Sequence, residues 1–359
     1  MAESILLYIF EVPFNVTIFH SLINLYNAEP IFSQFSILLI HIFAPLKKVL
    51  GMISRRNIRV KVMQTIYTLF AQKKDYKPGE PVKILQKHFD QTRELLIYLV
   101  YFITEVARYA ETDAHQKASK HLPTHHDMNV NTKIAGNELL WKMLEDESFK
   151  AWALKTRPEN ILDKDLVRKF YFQLIQAPEY ISYINKQERN KKEEKEILEF
   201  ILNQILLPSE IFISHIEEHF TGWEDDADLV LQLLGIYISK PGSIDFYEIL
   251  SDEKLEFAKS LLNTVLEKDE HLSTLINPKL KNWDADRIAL LDMILMKMGL
   301  SEFLYFETIP PKVTINEYID LAKQYSTEQS GHFINGILDN IHKEMVEQGN
   351  MHKKEFKKS

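Results

Sequence analysis

The chain has 359 residues, room for two domains or for one domain with a large insertion, and 45% of them are hydrophobic, enough to bury a core. Only 10 Gly and 13 Pro stand beside long segments rich in Leu, Ile, Glu and Lys, a composition that argues against a many-turned β protein and predicts an all-α fold. The absence of cysteine excludes disulfides, thiolate catalysis and Cys-based metal centres and fits a reducing cytoplasm; the net charge of -8 argues against uniform positive coating of nucleic acid and leaves room for a local basic face.

Residues 1–51 differ in character from the rest of the chain. They are poor in charge and contain the apolar run PIFSQFSILLIHIFAPL, which is marginal for the roughly 20 residues of a spanning helix and holds His41 between two prolines. A membrane anchor, a packing segment, and sequence upstream of a true start at Met52 are three readings of it. Glu3 and the missing basic leader count against a signal peptide.

From Ser54 the pattern is helical. Ile58, Val62, Ile66 and Leu69 form one apolar stripe, with Ser54 placed to cap it. Arg55, Arg56, Arg59 and Lys61 crowd the first two turns, where cations oppose the helix dipole. They make either a solvated basic face or a phosphate-binding one.

The long middle, residues 75–250, holds apolar helices at ELLIYLVYFITEVARYAE, EKEILEFILNQILL and DDADLVLQLLGIYI. Between the first two lies the polar segment 113–140, read as a loop. It carries His115, His121, His125 and His126 without the H-x-x-x-H or H-E-x-x-H spacing that a helical metal site uses. NKQERNKKEEKE is a mixed charge run, read as a solvated face or connector. No internal repeat, Gly-rich phosphate loop or placed catalytic set is found, and the chain is read as neither an enzyme nor a cofactor protein.

Beyond Ser251 the helices come closer together. Leu255, Ala258, Leu262, Val265 and Leu266 mark one, and Leu272, Leu275 and Ile276 a short second. Ile288, Leu291, Leu295 and Met298 mark a third, capped by Asp284. After Pro310 and Pro311, Thr314 and Glu317 have the spacing of a capping box, and Ser326 and Gln329 repeat it before a last helix whose stripe is Ile334, Ile337, Leu338, Ile341 and Met345. Gly336 inside that helix predicts the close approach of another backbone, since Gly costs about 1 kcal/mol against Ala there. Asn335 reads as a buried polar anchor. Phe333, with Ser330 and His332 near the helix start, reads as a stacking platform for a base.

PPKVTINEYIDLAKQYS followed by SGHFINGILDNI resembles the C-terminal signature of the NusB family of transcription antitermination factors. DRIALLDMILMKMGLSEFLYF and RRNIRVKVMQTIYTLF resemble that family's hydrophobic helix and its Arg-rich first helix. The resemblance implies an all-α, NusB-like bundle with a large helical insertion after the first helix. Residues 52–74 would be the first helix, 75–250 the insertion, 251–348 the C-terminal bundle and 349–359 a basic, disordered tail. It implies binding of boxA-type single-stranded RNA from ribosomal-operon transcripts together with NusE, a small-subunit ribosomal protein, at the RNA polymerase elongation complex in the cytoplasm. Carried over by position, the RNA contacts are Arg55, Arg56, Arg59, Tyr67, Ser330 and Phe333, and the protein partner meets Glu302 and Phe303. Asn57 and the Gln329, Gly331 and His332 loop depart from the family pattern and put the RNA preference in doubt. The rival reading is a non-catalytic helical interaction module, tethered to a membrane through residues 1–51. Acidic partners for Arg55, Arg56 and Arg59 in the middle region would favour it.

Overall fold

A computed structural model describes residues 53–72, 76–125, 127–280, 289–349 and 353, all within one compact unit, Gly51–Ser359. The apolar segment 1–51, His126, Asp284, Ile288 and the tail apart from Gly349 and Lys353 lie outside the described residues. Among those described every regular element is helical, as the composition predicts.

The helices are α1 (Arg55–Gln72), α2 (Glu80–Ala118), α3 (Glu138–Glu145), α4 (Glu147–Thr156), α5 (Lys164–Leu174), α6 (Pro178–Asn185) and α7 (Lys191–Phe200), which runs on through a π-helical turn, Ile201–Leu206. After these come α8 (Glu210–His219), α9 (Trp223–Ser239), α10 (Asp252–Glu267), α11 (Asp269–Ile276), α12 (Leu290–Tyr305), α13 (Pro311–Tyr325) and α14 (Glu328–Glu347). The segment read as a loop from Asp113 stays helical through Ala118 before short 3-10 turns take over.

α1 and α12 are central. An amphipathic surface helix buries one stripe, but α1 buries Val60, Lys61 and Met63 as well as Ile58, Val62, Ile66 and Leu69. α10 and α12 pack on it from the C-terminal bundle and α2 from the middle region. α12 likewise buries Ile294, Leu295, Met296, Met298, Leu300 and Phe303, covered by α10, α11, α13 and α14. α2 in turn carries the middle region, packing on α4, α5 and α9.

Two boundaries differ from the sequence expectation. The helix of Thr314 already begins at Pro311, where a missing N–H costs nothing. Thr314 therefore lies inside α13, and its hydroxyl donates to Glu302 Oε2 at 3.0 Å instead of capping. For α14 the cap is Thr327, which accepts from the Ser330 N–H at 3.0 Å, one residue beyond Ser326. The stripe of α14 is buried as read.

The two helix-interior expectations on α14 are reversed. A Cβ built on Gly336 meets nothing within 4 Å, and Asn335 is exposed. Close approach occurs instead at Gly299 of α12, where a Cβ would lie 2.9 Å from Leu338 Cδ1, and at Gly331, where it would lie 2.7 Å from Lys323 Cγ.

Candidate nucleic-acid interface

Ser54 caps α1, its hydroxyl accepting from the Asn57 N–H at 3.1 Å. The cations of the first two turns offset their unfavourable place on the dipole by reaching carboxylates on other helices. Arg55 meets Glu253 of α10 at 3.2 Å. Arg56 donates to Gln324 at 3.0 Å and stands 3.9 Å from Asp320 and 4.0 Å from Glu317 of α13. Both Arg55 and Arg56 keep much of their side chains in solvent, 43% and 38% exposed, so these pairs contribute little to stability and open readily to another anion. Their partners lie in the C-terminal bundle and not in the middle region.

Arg59 is different. It makes a two-pronged contact with Glu302, Nε to Oε1 at 2.7 Å and Nη2 to Oε2 at 3.0 Å, and its side chain is 3% exposed. Tyr318 donates to the same carboxylate at 2.9 Å and Thr314 at 3.0 Å. Burial raises the Tyr318 phenol well above its ordinary value, and the Glu302 charge adds to it, so the hydroxyl stays a donor. The surface role expected of Arg59 is thus corrected: a guanidinium held inside the protein against the Glu302 carboxylate binds helices together. The same network corrects Glu302, which is wholly buried, and Phe303, 1% exposed with its ring 5.8 Å from that of His342; neither offers a surface to a partner.

Lys61, the fourth cation, is also inside. Its ammonium lies 2.7 Å from Asp226 Oδ1 of α9, and Thr92 of α2 donates to Asp226 Oδ2 at 2.6 Å. Beside it Asp225 accepts from Gln64 and from the phenol of Tyr325, whose pKa burial and that hydrogen bond push up. The first turn of α9 therefore grips α1. In the sequence Asp225 and Asp226 look like ordinary acids at a helix N-terminus, and no spacing pairs them with Lys61.

Around the α13–α14 junction, Arg56 donates to Gln324 near the end of α13, and Lys323 meets Glu328 at the start of α14 at 3.2 Å. Ser330 does not face outward as expected. It is 7% exposed, and its hydroxyl donates to Asp292 Oδ2 at 2.9 Å, joining the first turns of α14 and α12. Phe333 is half-buried against the core, while His332, Asn335 and Gly336 are exposed. Tyr67 is 46% exposed. Eleven residues from Arg56, it falls on the same side of α1 roughly 17 Å along the axis, with buried Val60 and Met63 between. The structure thus sets Arg55 against α10 and Arg56 against α13, and places Tyr67 apart at the far end of the helix.

Among the described residues no group of three or more His, Asp or Glu side chains could hold a metal ion, and no single helix is long and apolar enough to cross a membrane.

These features define an all-helical protein with a central arginine-bearing helix clasped by a C-terminal bundle, two of its arginines facing solvent. The NusB family model matches residues 230–343, from within α9 through most of α14. The transcription antitermination protein NusB of Methylacidiphilum infernorum is 41% identical over 103 residues, 28% of this chain and 72% of that protein. The proteins of the same name from Chloroherpeton thalassium and Salinibacter ruber are 34% identical over 134 residues and 40% over 98. Those matches cover 35% and 27% of this chain, and 64% and 61% of the relatives' own length. No solved structure matches. The chain belongs to the NusB family.

Proposed function

We propose that this chain is a non-catalytic transcription antitermination factor of the cytoplasm. It binds boxA-type single-stranded RNA of ribosomal-operon transcripts together with NusE and acts at the RNA polymerase elongation complex. Family membership supports the class. The observation that supports the RNA reading is the pair of solvent-facing guanidiniums, Arg55 and Arg56, at the start of α1, phosphate contacts of the kind single-strand recognition requires, with the half-buried Phe333 of α14 as the ring that would take a base. Tyr67 would take a more distant base. Because Glu302 and Phe303 are inside, the protein partner would meet exposed neighbours such as Tyr305, 43% exposed. Residues 75–250 act in this reading as an insertion that stiffens the arginine helix.

A second reading, a helical protein-interaction module, draws on the burial of Arg59 and Lys61 against carboxylates, of which only Asp226 lies in the middle region. Titration of labelled boxA-like RNA, with and without NusE and at two salt concentrations, separates the two. An Arg55→Ala/Arg56→Ala variant tests the face while sparing the buried Arg59. Salt-dependent binding that NusE strengthens, and whose log–log slope falls by about 0.7 per lost phosphate contact in the variant, supports RNA binding. Wild-type protein that ignores the RNA even with NusE present leaves the interaction module.

A further inference from the structure

Arg55 and Arg56 are each held in two ways, one firm and one loose. The guanidinium carbon of Arg55 lies 5.4 Å from the ring centroid of the buried Phe257, and its Nη2 donates at 3.2 Å to Glu253, one turn earlier on α10. For Arg56 the firm hold is Gln324, whose amide oxygen accepts from Nη2 at 3.0 Å. Nη1 is left to the acids of α13, 3.9 Å from Asp320 and 4.0 Å from Glu317, beyond the reach of a direct hydrogen bond. Glu317 is committed elsewhere, 3.3 Å from Nη1 of the buried Arg59. That leaves Asp320, 44% exposed, as the exchangeable partner of Arg56, just as Glu253, 81% exposed, is the exchangeable partner of Arg55. Ion pairs this open to water are weak. A phosphodiester brings the same single charge and two oxygens that suit the guanidinium fork as a carboxylate does. Phe257 and Gln324 can keep both guanidiniums in place while two surface side chains swing away, so the exchange needs no movement of a helix.

We infer that Glu253 and Asp320 occupy the two phosphate positions in the free protein and that an RNA strand displaces them, so that these two carboxylates determine the affinity of the interface. The inference rests on the RNA reading above and names the residues that set its strength. Binding gives up two ion pairs and brings each phosphate close to the carboxylate it replaces, and both effects oppose the RNA. Neutralising the acids removes both.

Labelled boxA-like RNA is titrated, with NusE present, into full-length wild type, Glu253→Gln/Asp320→Asn and a control, Glu147→Gln/Glu256→Gln. The control removes the same net charge from solvent-facing carboxylates that pair with Lys150 and Lys259 instead. All four acids lie at the surface, so both variants retain the fold, which thermal unfolding verifies. Glu253→Gln/Asp320→Asn should bind about three- to tenfold tighter than wild type at low salt, and the gain should shrink as added salt screens the charges, while the control stays within about twofold. On the Arg55→Ala/Arg56→Ala background, neutralising Glu253 and Asp320 should give no gain beyond that of the control, because the guanidiniums they release are gone. The inference is overturned if Glu253→Gln/Asp320→Asn binds no tighter than the control, or if its gain survives loss of the two arginines; wild-type binding then still upholds the RNA reading. RNA that none of the proteins binds, even with NusE, overturns both.

Discussion

Gly336 and Gly299 show how differently the same residue is used on two helices. Nothing stands within 4 Å of a Cβ at Gly336, so Gly336→Ala should stabilise the protein by about 0.5–1 kcal/mol through helix propensity alone. Gly299→Ala, driven into Leu338 and Tyr318, should cost about 1–3 kcal/mol as overpacking does. Urea denaturation of both variants checks the pair, and a destabilised Gly336→Ala would mean that α14 needs flexibility there. Both residues sit in helical patterns, and sequence spacing alone does not tell which glycine another helix approaches. His215 poses the same problem, an interior residue with no sequence signal. It is 8% exposed, shares a hydrogen bond between its Nε2 and Tyr98 Oη at 2.5 Å, and lies tilted with its ring 4.6 Å from that of His219. Burial, then the His219 charge, lowers its pKa, and Asp163 and Glu218 only partly oppose them. The unfolded chain therefore takes up the proton first. Stability from this site is whole above the unfolded value of about 6.5 and declines as pH falls from there towards the folded value. His88, lowered first by burial and then by Lys61, adds in the same direction. Denaturation midpoints of wild type and His215→Gln, compared on either side of about pH 6.5, should converge at the acid end; parallel curves would contradict the assignment.

Among the elements, α1 marks the division between what sequence can and cannot disclose. Its stripe of Ile58, Val62, Ile66 and Leu69 is legible because a 3.6-residue period needs only one partner face. The fate of Arg59 and Lys61 is not, because it depends on carboxylates 243 and 165 residues away in sequence. Boundaries fail for a related reason: Thr314 has capping-box spacing, but the preceding prolines already start α13, and the hydroxyl is drawn to Glu302. The Lys61–Asp226 contact is a buried ionic link between α1 and the middle region. Asp226→Ala strands a buried ammonium and should cost about 3–5 kcal/mol, whereas Lys61→Met combined with Asp226→Leu should recover most of that loss because no charge is left unpaired. Hydrogen exchange should locate the loosening of the single variant at the start of α9 and the middle of α1. Equal loss in the single and double variants would show that the ion pair holds the two together in a way that apolar packing does not.

For the whole molecule the question is whether the family-matched region can stand alone. The match to residues 230–343 omits α1, yet α1 fills the groove between α10 and α12 and supplies Arg59 to the Glu302 carboxylate. A fragment of residues 251–349 would leave Glu302, Tyr318 and Thr314 around a vacated cavity, with a buried carboxylate that has lost its cation. It would also uncover the faces of α10 and α12 on which α1 packs. That fragment should therefore unfold without a cooperative transition and bind a hydrophobic dye, while the chain from residue 53 unfolds cooperatively. Adding a peptide of residues 53–72 should restore cooperativity in part, and an Arg59→Met version of that peptide should restore less, since it returns apolar volume without the guanidinium. Cooperative unfolding of the bare fragment would instead mean that α1 is an addition to an autonomous bundle, and the arginine pair on it could then detach and move with the middle region.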